Sequence, residues 1–380
     1  MVDHDSSNIA AALMETAQRL ARQAAQAARR NDELAKYDPS LWETVRKLGM
    51  AGLCVPEAQG GAEVSISLFC QVCETLAAAD ASTSTLVHLQ GNNAFLLRHA
   101  PNRALAERVL EQMAQGRILT AYALTEPEAG SDAAHIKATA RPVEGGYVLN
   151  GTKCFSSWSS MADVVLVFAR IMSLPAREQI SCFVIDPAQQ GFSISRHDKK
   201  MGLRAAPLCE ITLSELFVAR ENCLGPEGLF RQALASLDYS RVGIASMAVG
   251  LAQGAFEHAF RYVCERRLFG QTLADFQGVQ FKLADMATGI EAARALTMNA
   301  AAQADAGRNF SRLASMAKYH ASDVAMKVTT DAVQLLGGAG YTNEHPVERM
   351  MRDAKAIQIF EGANELQRAL TFKLLKKELM

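Results

Sequence analysis

The sequence predicts a mainly helical α+β fold in three parts. These are an N-terminal helical domain over 1–118, a middle antiparallel β domain over 119–225 and a C-terminal four-helix bundle over 226–380. Three observations lead there. Apolar residues recur at helical spacing at both ends of the chain. Between Tyr147 and Val218 the pattern changes to short β-rich runs cut by turn signals. At 380 residues the chain is too long for one simple core, so several domains are expected.

Taken in order, Ile9, Leu13, Ala17 and Leu20 lay out a first helix. Ser40-Leu-Trp-Glu43 has the form of a capping box opening a second, which Gly49 ends. Further apolar helical runs cover about 66–80 and 103–115, and their alanine content agrees. Strands are expected at Tyr147-Val-Leu149, Val164-Val-Leu-Val-Phe168, Ser181-Cys-Phe-Val-Ile185 and Phe192-Ser-Ile-Ser195. Glu144-Gly-Gly146, Asn150-Gly151 and Asp186-Pro187 mark the turns. After Pro226-Glu-Gly228, helical stretches follow at about 228–267, 277–306, 310–337 and 345–378, which suggests a bundle.

Composition narrows the function. A hydrophobic share of 49% and a charged share of 21% are those of an ordinary globular protein. The net charge of -1 gives no electrostatic reason to expect nucleic acid or an anionic membrane as partner. No apolar run approaches the roughly 20 residues of a membrane span. The N-terminus lacks the basic start and apolar segment of a secretory signal, so a cytoplasmic protein is expected. Cys70 and Cys73 form a C-x-x-C, but no second pair follows at zinc spacing. They read as free, buried cysteines, and no metal is expected.

Five clusters bear chemistry. Tyr122-Ala-Leu-Thr-Glu-Pro-Glu-Ala-Gly-Ser-Asp132 offers hydroxyls and backbone donors to a planar ring or a phosphate, or is a structural turn. In Asn150-Gly-Thr-Lys-Cys-Phe-Ser-Ser-Trp-Ser159, Phe155 and Trp158 either flank a bound ring or belong to the sheet core. Glu265-Arg-Arg-Leu-Phe-Gly270 with Gln277 suits a pyrophosphate and an adenine, or is a solvated helix face. Gln334-Leu-Leu-Gly-Gly-Ala-Gly340 is glycine-rich but lacks the preceding strand of a dinucleotide fingerprint. Last, Glu361 lies in Ile357-Gln-Ile-Phe-Glu-Gly-Ala-Asn364. A carboxylate held against apolar Ile357, Ile359 and Phe360 loses hydration and becomes a stronger base, and Gly362 allows close approach. The plain alternative is a helix-terminal glutamate in water.

With Asp238-Tyr-Ser-Arg241 added, these motifs in this order resemble the acyl-CoA dehydrogenase family over nearly the whole chain, most firmly over 120–380. The resemblance implies FAD between the β domain and the bundle, with Tyr122, Leu124 and Thr125 on one side of the flavin and Phe155 and Ser157 on the other. It implies that Arg266, Phe269 and Gln277 hold the pyrophosphate and adenosine of a cofactor. Gln334, Leu335, Gly337 and Gly338 would reach FAD in a partner subunit, so at least a dimer, and by family habit a homotetramer, is implied. Ser131, Asp238, Arg241 and Phe360 would bind the acyl thioester, with Arg241 and Gly362 supporting the active site and Ala363 beside FAD.

Glu361 matches the family's catalytic base. It would take the α-proton while a hydride leaves the β-carbon for flavin N5, giving a trans-2-enoyl thioester. The Glu361 N–H and a ribityl hydroxyl would stabilise the thioester oxygen. Phe155, Ser157, Phe360 and Ala363 stand where tryptophan, threonine, tyrosine and threonine are commonest, and Ser240 occupies the alternative base position. The carrier is CoA or an acyl-carrier protein, and the electron acceptor a partner such as an electron-transfer flavoprotein. An oxidase or monooxygenase using O2, or a non-catalytic acyl-binding relative, are the alternatives. The end of the chain about 20 residues after Glu361 and the presence of that glutamate oppose them. Helical residues around His88–Leu97 are expected at the acyl tail, where Gln90, Asn92 and Asn93 suggest a short or polar chain.

Overall fold

The computed structural model describes residues 2–175 and 178–380. Helices α1 (Val2–Leu34), α2 (Pro39–Lys47), α3 (Ile66–Ala79), α4 (Ala81–Arg98) and α5 (Arg103–Ala114) come first. Strands follow: β1 (Thr120–Ala123), β2 (Thr139–Val143), β3 (Gly146–Ser157), β4 (Val164–Ile171), β5 (Ile180–Ile185), β6 (Phe192–His197) and β7 (Leu208–Ala219). The remainder is α6 (Phe230–Glu265), a hairpin of β8 (Arg267–Leu268) and β9 (Gln271–Thr272), α7 (Gln277–Asp305) and α8 (Ser311–Leu336). The one-turn α9 (Gly338–Tyr341), α10 (Val347–Ile357) and α11 (Asn364–Leu379) complete it. None of the described helices is long and apolar enough to cross a membrane.

The second helix starts before the expected capping box. Asp38 is its N-cap, accepting the Ser40 N–H at 2.8 Å, and Pro39 fills the first turn. Aspartate caps well and proline has the helical φ preset, so this pair overrides Ser40, and Glu43 pairs with Arg46 instead. Gly49 does end the helix, with φ 70°.

The sheet is mixed, whereas the sequence suggested antiparallel strands throughout. Its order is β1-β4-β2-β3-β7-β6, with β5 also on β4. β1 and β2 both run parallel to β4, and the other main-sheet pairings are antiparallel. β1 and β2 reach β4 through long excursions that free them from hairpin geometry, and Thr120-Ala-Tyr-Ala123 is too short and alanine-rich to signal a strand. The unbroken apolar run of β4 is explained by burial on both faces. Leu166 and Phe168 join the large core shared with the helices, while Val165, Val167 and Ala169 join a second core inside the β domain.

The helical parts meet along α6, which packs on α3, α4, α7 and α8. A Cβ at Gly250 would lie 2.1 Å from the Glu74 carbonyl oxygen, and one at Gly254 2.2 Å from that of Ala78. These two glycines let α3 rest directly on the α6 backbone. The last expected bundle helix is not continuous. It breaks between α10 and α11, and the break carries Glu361 at φ 54° and Gly362 at φ 94°. Successive left-handed residues cannot sit in an α-helix.

Candidate active site

The Glu361 turn is referenced to α8. Lys318, fully buried on that helix, donates to the Gly362 carbonyl at 2.7 Å and to Asn364 Oδ1 at 3.0 Å. The Asn364 amide donates to Asp323 Oδ1 at 2.8 Å, and Gln358 Nε2 to the same oxygen at 2.7 Å. From α11, buried Gln367 donates to the carbonyls of Glu361 and Gly362 at 3.4 and 3.3 Å. A Cβ on Gly362 would fall 2.2 Å from Gln367 Nε2. Gly362→Ala should therefore destabilise the protein by roughly 1–3 kcal/mol, from positive φ and the displaced amide, read as a lowered urea midpoint.

The apolar setting expected of Glu361 is only partly present. Ile357 is buried and Phe360 half-buried, but Ile359 is 59% exposed, because the chain has already left the helix there. The half-buried Glu361 instead has polar company. Its charge acts on His88 of α4, Tyr122 of β1 and Lys318 of α8. Burial holds the His88 imidazole below its ordinary value, opposed by Glu361, and the ring meets the Ser240 carbonyl at 3.1 Å. Burial raises the Tyr122 phenol far above its usual value, with Cys182 and Glu361 adding to it. No partner for the Tyr122 hydroxyl exists among the described residues. Burial pushes the Lys318 ammonium down to about 8, with Glu361 opposing and Arg241 reinforcing.

Arg241 is 9% exposed and pairs with Asp238 at 2.5 Å, while its Nε has no partner among the described residues. Asp238 also accepts from Ser311. The Glu361 N–H likewise finds no acceptor among the described residues. A buried guanidinium N–H and a main-chain N–H, each left open, suit a ligand that brings an oxygen.

A ledge of loop and strand adjoins this corner. Cys154 N–H donates to the Thr125 carbonyl at 2.9 Å, and Ser156 Oγ to that of Tyr122 at 2.8 Å. The link beneath is a buried ion pair that the sequence reading did not single out, although both partners lie in its motifs. Lys153 Nζ reaches Glu126 Oε1 at 2.6 Å and the Leu124 carbonyl at 3.1 Å. Glu126 also accepts the N–H groups of Lys137 and Ala138. A register shift in β3 puts Phe155 at φ 54°, which turns its ring outward. Phe155 is 60% exposed while Trp158 is fully buried, packed edge-on against Tyr37 in the large core shared with the helices rather than in the core inside the β domain. Leu124 is buried, Thr125 and Ser157 half-buried, Ser131 exposed and Ala363 half-buried.

The remaining candidates lie elsewhere in the chain. Arg266 and Phe269 sit at the β8–β9 hairpin and Gln277 at the start of α7, all exposed, Phe269 at 93%. At about 1.5 Å per residue, α6 carries Arg266 roughly 37 Å from Arg241. Gln334 and Leu335 close α8, Gly337 caps it and Gly338 opens α9; Gln334 lies about 24 Å along α8 from Lys318. The polarity of α4 is explained only in part. Gln90 accepts from the Thr120 N–H and hydroxyl and donates to its carbonyl, and Asn93 donates to the hydroxyl. These bonds tie α4 to β1, while the buried Asn92 and Asn93 Oδ1 atoms have no partner among the described residues. Cys70 and Cys73 are free and buried, with burial pushing the Cys70 thiol up to about 12.

Comparison with known proteins agrees across the chain. It matches the N-terminal domain of acyl-CoA dehydrogenase at residues 8–117, the middle domain at 121–216 and the C-terminal domain at 229–375. It is 41% identical to cyclohexane-1-carbonyl-CoA dehydrogenase of Geobacter metallireducens over 96% of both chains. The solved butyryl-CoA dehydrogenase of Megasphaera elsdenii superposes with a TM-score of 0.93 at 35% identity, covering 97% of this chain and 98% of that one. PigA, solved with FAD and proline, gives 0.91 at 26% identity over 97% and 98%. With all three domains matched and relatives of this identity covering nearly the whole chain, the chain belongs to the acyl-CoA dehydrogenase family of flavin oxidoreductases acting on CH–CH groups.

Proposed function

We propose that the protein dehydrogenates an acyl-CoA between its α and β carbons, with Glu361 as the α-proton base. The observation that carries the reading is the Glu361 turn, a left-handed carboxylate-bearing residue with an open main-chain N–H, whose charge acts on Lys318 together with that of buried Arg241. A thioester oxygen at that N–H would acidify the α-proton, and the adjacent carboxylate would accept it. Arg241, held by Asp238, would orient the thioester by its free Nε–H.

The residues present fit FAD. The exposed Phe155 ring beside the Thr125 and Ser157 hydroxyls offers a planar ledge with polar edges, and Phe269 at 93% exposure needs a cover. Bound there, FAD would supply the hydride acceptor at N5. Arg266, Phe269 and Gln277 cluster at the far end of α6 from Arg241, around the β8–β9 hairpin and the start of α7. The geometry therefore favours a neighbouring subunit as their target, hence at least a dimer and, as in the family expectation, a homotetramer. An electron-transfer flavoprotein is the proposed acceptor.

The test is anaerobic mixing of the flavin-loaded enzyme with straight, branched and alicyclic acyl-CoAs and their carrier-protein counterparts. At least one acyl-CoA should bleach the flavin in a single turnover, without peroxide forming at the same rate in air. Failure of every thioester to bleach a flavin that dithionite reduces would overturn the reading.

A further inference from the structure

We propose that Lys318 is a positioning residue for the Glu361 turn, fixing the Gly362 carbonyl from α8 so that Glu361 keeps the left-handed geometry its chemistry needs. The inference rests on Glu361 being the base. Lys318 occupies the inward face of α8 with Ala314, Ala321 and Ala325, and none of its surface is exposed. One of its two bonds falls in the bend, on Gly362, and the other just after it, on Asn364, the first residue of α11. Ser322 and Asp323 hold the same asparagine, so α8 grips the turn at several points, and Gln367 of α11 adds weaker bonds to the Glu361 and Gly362 carbonyls.

A buried ammonium is unfavourable unless it is needed. The acceptors of the Lys318 ammonium are a main-chain carbonyl and an amide oxygen. Glu361, Asp323 and Glu365 favour its charged form from a distance, while burial and Arg241 oppose it. A methionine of similar length would fold at less cost in desolvation. What methionine cannot do is donate to the Gly362 carbonyl. A left-handed non-glycine residue persists only when its surroundings over-determine it.

The experiment compares wild type, Lys318→Met and Lys318→Gln, each with and without Glu361→Gln, as flavin-loaded protein. Three readouts are anaerobic bleaching rate per bound flavin, thermal midpoint, and amide exchange across 358–364. The expected result is a loss of about 10- to 100-fold in bleaching for Lys318→Met, from a base displaced by a fraction of its reach. The glutamine variant, which keeps one donor, should lose less. In the Glu361→Gln background Lys318→Met should remove nothing further, and exchange should quicken across 358–364. Bleaching within about twofold of wild type, with only the thermal midpoint lowered, would overturn the proposal, as would equal losses in both backgrounds. Should Lys318→Met not fold, Lys318→Gln carries the comparison. Bleaching by Glu361→Gln alone at the wild-type rate would instead remove the base assignment, and this inference with it.

Discussion

Replacing Glu361 by glutamine should slow flavin bleaching by an acyl-CoA roughly 10²–10⁴-fold, the usual worth of a positioned general base. Glutamine has the shape of glutamate and no basic oxygen. The bonds that hold the turn use the carbonyls of Glu361 and Gly362 rather than the carboxylate, so they survive the change. The thermal midpoint should therefore stay near wild type. Binding of a non-reacting acyl-CoA analogue should also change little, since Arg241 and the open Glu361 N–H remain. A loss confined to the chemical step, seen in anaerobic stopped-flow with binding intact, is the signature of a base.

The second large effect is on stability. Glu126→Ala should cost about 3–5 kcal/mol in urea unfolding, because it strands a buried cation. Lys153 is fully buried and Glu126 only 5% exposed. Burial lowers the Lys153 ammonium below its ordinary value, and Glu126 opposes that shift. Removing Glu126 also leaves the N–H groups of Lys137 and Ala138 without their acceptor. Glu126→Gln with Lys153→Met should recover much of the loss, since no buried charge then remains. The same pair ties the 122–126 loop to β3, so flavin content of the single variant should fall alongside its stability.

The fold was legible where periodicity was strong. The helix–sheet–helix order and most strands followed from patterns such as Val164–Phe168 and the long alanine-rich runs. Parallel pairing of β1 and β2 was not legible, because strand direction depends on how distant segments meet. The break at Gln358–Ala363 was signalled by Glu-Gly beside an asparagine, but helix periodicity on both sides concealed it. Of the candidate site, the structure brings Glu361, Tyr122 and Arg241 into one region and places Arg266, Phe269 and Gln334 well away. Lys318 escaped notice although a lysine in register with Ala314, Ala321 and Ala325 is itself a signal. The polarity of α4 has a structural part that the sequence did not separate, since Gln90 and the Asn93 amide N–H bond Thr120, while the Asn92 and Asn93 Oδ1 atoms find no partner among the described residues.

As the proposed base, Glu361 would remove an α-proton from an acyl thioester. The most direct test of that role is the anaerobic bleaching rate with an acyl-CoA deuterated at the α-carbon, measured in wild type and in Glu361→Gln. The expected result is a primary isotope effect in wild type and near loss of bleaching in the variant. An α-deuterated substrate that bleaches as fast as the protiated one, together with an unimpaired Glu361→Gln variant, would contradict it.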